Sequence, residues 1–345
     1  MGRFRRSLAA TAMAAGLLAG AAATTARSQE LNVALFGGSF AENVRTCVAE
    51  PFQRATGARV NFVLGNSVQN AARLRATRGR PDVDIAYMDL QVAVQAKNEG
   101  LLDQVDAARL TNLPDIYPSA VDPDRRWIGF MYSSTAIAYN PRELRNPPQA
   151  WADLWSPSLR GKLAIGDITA TSGQHFLIAA ARINGGSVEN VEPGFRAIRD
   201  LRPHVVTLYT QADQVVQLIE RGDIAAAVWF SDRVGAAARS GVPVAVVFPR
   251  EGAVGILPTF SIPIGARSKA LAEQYMDRAL GAEAQRCFAE RQFAGPTNRR
   301  VELPDELARL VPYRESVERM YFPPPEIVAR SLPAWTERWN REIAR

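Results

Sequence analysis

The sequence predicts an α/β protein of two lobes, each a mainly parallel sheet covered by helices, facing each other across a cleft. Two observations predict this. Short, nearly continuous apolar runs alternate with helical patterns in two separate series, as strands buried on both faces do. Long extended runs join the series, and a chain of 345 residues is long enough for two domains of roughly 100–200 residues each.

The first series opens on "LNVALF" (31–36), followed by "RVNFVLG" (59–65) and "DVDIAYMD" (82–89). Between the first two, Phe40, Val44, Cys47, Val48 and Phe52 repeat at helical spacing until Gly57. A second helix spans about residues 68–77 and stops at Gly79 and Pro81. The extended run "RWIGFMYSSTAIAYNP" (126–141) leads to the second series. Its strands are "GKLAIGD" (161–167), "HVVTLYT" (204–210), "DIAAAVWF" (223–230) and "PVAVVFP" (243–249). Helices near 172–183, 212–221 and 232–240 separate them, and "ILPTFSIPIGA" (256–266) is a further extended run. At the end of the chain, Trp335, Trp339 and Ile343 form one buried helical stripe.

The formal charge of +6 is concentrated in the leader. Residues 1–28 carry four arginines and no acid, which leaves 37 basic against 35 acidic residues elsewhere. A balance of +2 is no electrostatic footprint for nucleic acid. The leader has a cationic start, an apolar stretch over about 8–23, and Ala26 and Ser28 as small residues before a cleavage point. It is expected to be a signal peptide, taking the Sec route or, through Arg5-Arg6, the twin-arginine route. The mature chain is then exported and periplasmic. Cys47 and Cys287 are expected as buried free thiols, Cys47 on the face of Phe40 and Val44, Cys287 beside Ala284 and Phe288; an oxidising compartment would also let them pair.

Chemistry is sought where strands end and helices begin, since ligands of open α/β sheets sit there. Gly37, Gly38 and Ser39 follow the first strand, and Asp89 follows the third. Thr171, Ser172 and Gly173 follow "KLAIGD", while Trp229 and Asp232 flank the end of "IAAAVWF". "FGGSFAEN" fits neither glycine-rich nucleotide loop. Gly37-Gly38-Ser39-Phe40-Ala41 falls one residue short of a nucleophile elbow, and Ser39 with Glu42 reads more simply as a capping box. A serine hydrolase using Ser39 is therefore a distant alternative, its base drawn from His175 or His204, which otherwise read as surface or capping residues. Two isolated histidines and no CxxC argue against a metal site, and no cofactor is expected.

The most specific stretch is "AWADLWSPSLRGKLAIGD" (150–167). With it, in order, stand "PFQRATGARV" (51–60), "STAIAYNP" (134–141), "GVPVAVVFPREGA" (241–253), "SIPIGARSKALAEQYMDRAL" (261–280) and "GPTN" (295–298). In these segments the mature chain resembles periplasmic substrate-binding proteins of ABC importers, in the branch of spermidine/putrescine-binding proteins.

The resemblance implies a Venus-flytrap fold closing by hinge motion on a solute. It places residues 30–139 and 260–305 in lobe one, and 140–259 and 306–345 in lobe two. It implies a monomer that delivers its solute to inner-membrane permease subunits, with the ATPase on another chain. Set beside that branch, Phe36 replaces a tryptophan and Trp229 matches one, so the two rings are expected to sandwich the solute. The branch's amine-binding acids are replaced by Ile168, Thr171 and Pro258, leaving Asp89 and Asp232 to pair with a cationic end. Residues 37–39 and 171–173 are expected to bind polar groups. The expected solute is a polyamine or related small amine; the alternative is a small carboxylate, phosphonate or amino-acid-like solute.

Overall fold

The computed structural model describes residues 2, 29–318 and 320–345, so the expected leader, Gly2 apart, lies outside the described residues. The first lobe begins with β1 (Glu30–Leu35). The helix after it runs without a break as α1 (Ser39–Val44), a π-helical turn (Arg45–Ala49) and α2 (Glu50–Thr56), which Gly57 closes in the left-handed conformation. Then come β2 (Arg59–Leu64), α3 (Ser67–Ala76), β3 (Ile85–Asp89) and α4 (Leu90–Asn98). Asn66 starts α3 with a capping box closed by Gln69.

β4 (Ile128–Gly129) and β5 (Met131–Tyr139) carry the chain into the second lobe. There follow β6 (Leu163–Gly166), α5 (Thr171–Ile183), α6 (Glu192–Leu201), β7 (Val205–Tyr209) and α7 (Asp213–Glu220). Next are β8 (Ala226–Phe230), α8 (Ser231–Arg239), β9 (Ala245–Val247) and β10 (Val254–Ile256). The chain returns through β11 (Pro258–Ser261) to α9 (Lys269–Leu280), α10 (Ala282–Gln292) and β12 (Gly295–Pro296). It ends with the short α11 (Asp305–Ala308) and α12 (Glu315–Glu318) and the long α13 (Pro325–Glu342).

Two sheets result, with strand orders β2-β1-β3-β11-β4 and β10-β5-β8-β6-β7; β9 and β12 also pair with β5. The strands joined by helical crossovers are parallel: β1 with β2 and β3, and β6 with β7 and β8. Strands next to the crossings are antiparallel, so both sheets are mixed. Two of the crossings between the lobes lie side by side, at Phe130 and Leu257, where the Phe130 amide donates to the Pro258 carbonyl at 2.7 Å. β5 pairs along β8, so residues 131–139 add to the second sheet, not to the first lobe with which the sequence reading grouped them.

Cys47 and Cys287 are joined in a disulfide, which corrects the expectation of free thiols. Their Cα atoms lie 5.7 Å apart although 240 residues separate them, because the π-helical turn and α10 pack side by side. The terminal stripe is buried as expected. α13 packs on α4 of the first lobe, and its Trp339 Nε1 donates to Asp167 Oδ2 of the second at 3.1 Å.

Candidate functional site

A cavity lies between the lobes, where the carboxyl ends of their strands meet. Phe36 and Gly37 after β1, Asp89 at the end of β3, and Pro258 line it from the first lobe. Thr171, Asp213, Phe230, Asp232 and Arg233 line it from the second. It encloses about 610 Å³ counting its open mouth, of which about 60 Å³ can hold the centre of a water molecule. Direct bonds close the lobes around it: Gln91 Nε2 donates to Gln174 Oε1 at 2.8 Å, and Gln211 Nε2 to Gln69 Oε1 at 3.0 Å.

Asp89 caps the strand that points into this cavity. Its Oδ2 accepts from the Ser67 hydroxyl at 3.1 Å and from the Thr171 hydroxyl of the opposite lobe. Among the described residues no donor reaches its Oδ1. Burial pushes the carboxyl up to about 6; the Thr171 and Ser67 hydroxyls pull the other way, and the nearby Asp232 charge adds to the rise.

Asp232, in the first turn of α8, is fully engaged. Oδ1 accepts from the Ser133 hydroxyl, and Oδ2 from Gln292 Nε2 at 2.8 Å. Gln292 reaches across from α10, its own carbonyl held by Asn43 Nδ2 at 2.7 Å. Beside it Arg233, 5% exposed, donates through Nη1 to the Gly37 carbonyl and to Ser39 Oγ, both at 3.0 Å. The second lobe's guanidinium is thereby seated on the glycine turn of the first.

The structure brings together Phe36, Gly37, Asp89, Thr171 and Asp232 at the cavity wall, with the Ser39 hydroxyl reached by Arg233. Other expected residues lie elsewhere. Gly38 has φ 61°, which favours glycine, and a Cβ there would lie 1.8 Å from Asp213 Oδ1. The room it leaves is therefore occupied by a side chain of the other lobe. Gly38, not Ser39, stands at the N-cap of α1 and no side chain caps the helix, so the Ser39–Glu42 capping box does not form.

Trp229 is buried in the second lobe's core, among Tyr209, Val215 and Val234, and its Nε1 has no partner among the described residues. Its neighbour Phe230 faces the cavity instead, because adjacent strand residues point to opposite faces. Ser172 is buried against the Tyr209 hydroxyl at 2.6 Å. Gly173 allows α5 to pack on its own approach loop, since a Cβ there would lie 2.1 Å from the Asp167 carbonyl oxygen. His175 is no surface residue: it is buried with Nδ1 3.0 Å from the Thr135 hydroxyl, and burial pushes its pKa down to about 3.

Sequence reasoning missed Arg233, Asp213 and Gln292. Arg233 carried one signal, a cation in the first turn of a helix, where the macrodipole favours acids. Such a residue needs outside partners, and Nη1 finds them in the Gly37 carbonyl, Ser39 and Asp213.

A family model described as bacterial extracellular solute-binding protein matches residues 48–312. The chain is similar to a gamma-aminobutyric acid-binding protein of Pseudomonas aeruginosa, 26% identical over 82% of this chain and 81% of that one. It is also similar to a spermidine/putrescine-binding periplasmic protein of Escherichia coli, 24% identical over 83% of this chain and 82% of that one. Among solved structures, an ABC transporter protein from Clostridium perfringens is 26% identical with a TM-score of 0.69, covering 91% of this chain and 99% of its own.

Proposed function

We propose, from the premise that the chain belongs to the family of bacterial extracellular solute-binding proteins, that its interlobe cavity captures a small organic amine. The protein is the solute-binding subunit of an ABC transporter and not an enzyme. We place the mature chain in the periplasm, where it hands its solute to membrane permease subunits. Supporting that place, a relative carries the word periplasmic in its name, and among the described residues no helix is long and apolar enough to cross a membrane.

One observation carries the amine reading: Asp89 is a buried carboxylate at the cavity wall with one oxygen that no donor among the described residues reaches. A buried charge wants a partner of opposite sign, and a protonated amine supplies both charge and hydrogen bonds. Asp89, Asp213 and Asp232 against the single Arg233 give the lining a formal charge of −2 when all are ionised. The solutes that name the two curated relatives, gamma-aminobutyric acid and spermidine or putrescine, have a primary ammonium group in common. Phe36, Phe40 and Phe230 supply ring surface for the alkyl chain or the ammonium.

Size narrows the class. The closed interior is small, with about 60 Å³ open to the centre of a water-sized sphere. A short amine fits this closed form better than a long polyamine.

Arg233 favours a second reading, an amino-acid-like solute whose carboxylate meets the guanidinium while its amine meets Asp89. Calorimetric titration of the purified chain with putrescine, gamma-aminobutyric acid and succinate separates the classes. Binding of putrescine is expected; binding of succinate alone would refute the amine reading.

A further inference from the structure

Arg233 and the glycine turn form a place suited to an anion. A guanidinium that is nine-tenths buried or more faces the start of the continuous helix formed by α1, the π-helical turn and α2. The unpaired amides of such a helix start favour negative charge. The chain already puts an anion there. Asp213, the first residue of α7, has its Oδ1 3.4 Å from Arg233 Nη1. Its carboxylate lies so close to the turn that a Cβ on Gly38 would meet Oδ1, Cγ and Oδ2 at 1.8, 2.2 and 2.3 Å. Asp213 does not cap its own helix, and its side chain is 43% exposed at the cavity mouth.

We propose that Asp213 is a specificity-determining residue: it fills the anion position at Arg233 with the chain's own carboxylate and so turns away solutes that bring one. This rests on reading the interlobe cavity as the solute site. An incoming carboxylate must either displace Asp213 or sit beside it, and like charges brought together at a half-enclosed cavity mouth repel. A solute with amines alone meets no such opposition and gains from the extra negative charge. Asp213 thereby decides between the two solute classes that Asp89 alone would admit, diamines and amino acids. Gly38 belongs to the same device, since any larger residue would push the carboxylate off the turn.

The test is titration calorimetry of the full mature chain and of Asp213→Asn, which keeps the shape and removes the charge, with putrescine, gamma-aminobutyric acid and succinate. Asp213→Ser serves as a second variant should the amide fail to fold. The ratio of gamma-aminobutyric acid affinity to putrescine affinity is expected to rise by about tenfold in the variant. A ratio that changes by less than about threefold overturns the inference. If the wild type binds neither amine, the amine reading of the cavity fails, and succinate still decides the role of Asp213. Succinate binding gained only in the variant supports it; no gain overturns it.

Discussion

The carboxylate of Asp89, at the end of β3, accepts a hydrogen bond from the hydroxyl of Thr171, the first residue of α5 in the opposite lobe. One oxygen of a single side chain thus joins the lobes while the other has no donor among the described residues, which couples closure to the charge at the cavity wall. Asp89→Asn is expected to weaken putrescine binding by about 100-fold, near 3 kcal/mol, because a buried ammonium loses its counter-charge. The same change should raise the melting temperature of the ligand-free protein at neutral pH, since a carboxyl whose pKa is raised by burial is destabilising when ionised. Unchanged affinity by calorimetry would show that the amine sits elsewhere.

Amine affinity should depend on pH in a defined sense. The amine pairs with the ionised form of Asp89, and burial raises that group from 3.8 to about 6. Affinity is therefore expected to be level between about pH 7 and 9, where carboxylate and amine are both charged, and to fall by up to about tenfold per unit below about pH 6. Asp89→Asn should flatten that profile. A wild-type profile that is flat down to about pH 5 would contradict the pairing.

The two neighbouring aromatics should separate binding from stability. Phe230→Ala is expected to weaken solute binding by about 1–2 kcal/mol with a small effect on unfolding, because the ring lines the cavity. Trp229→Ala should instead cost about 3–5 kcal/mol of stability, as its ring is buried in the second lobe's core. Paired denaturant melts and titrations check this, and a reversed pattern would put Trp229 in the site.

Reduction of the Cys47–Cys287 bridge, or its replacement by two serines, should lower the free energy of unfolding by about 3–5 kcal/mol, because the bridge closes a very long loop. The midpoint of guanidinium unfolding with and without reductant measures it. An unshifted midpoint would mean that the bridge is absent from the folded protein.

Much of the fold was legible in the chain. Runs such as "LNVALF" and "DIAAAVWF" are apolar throughout because helices cover both faces of each sheet, and glycine at position 57 marks a true helix end. That same continuity hid which aromatic of the second lobe lines the cavity. A strand apolar on both faces has no alternation, so nothing in the sequence told which of Trp229 and Phe230 turned to the cavity. The place of Asp89 at the cavity wall was legible because a strand end is a local feature. Arg233 with Ser39, Gln292 with Asp232 and Cys47 with Cys287 are contacts between residues 194, 60 and 240 positions apart, set by lobe closure and helix packing, and no local pattern encodes them. Ser39 shows how a local signal can mislead: its capping pattern is present, but Gly38 enters the helix first and frees the hydroxyl for the opposite lobe.

The central claim is that a small amine is held between the lobes by Asp89. A crystal structure of the protein grown with putrescine tests it most directly. Density for the diamine inside the cavity, with an ammonium nitrogen at about 2.7–3.0 Å from Asp89 Oδ1, is the expected result. A cavity filled only by water in such a crystal, or a diamine bound with no nitrogen within reach of Asp89, would contradict it.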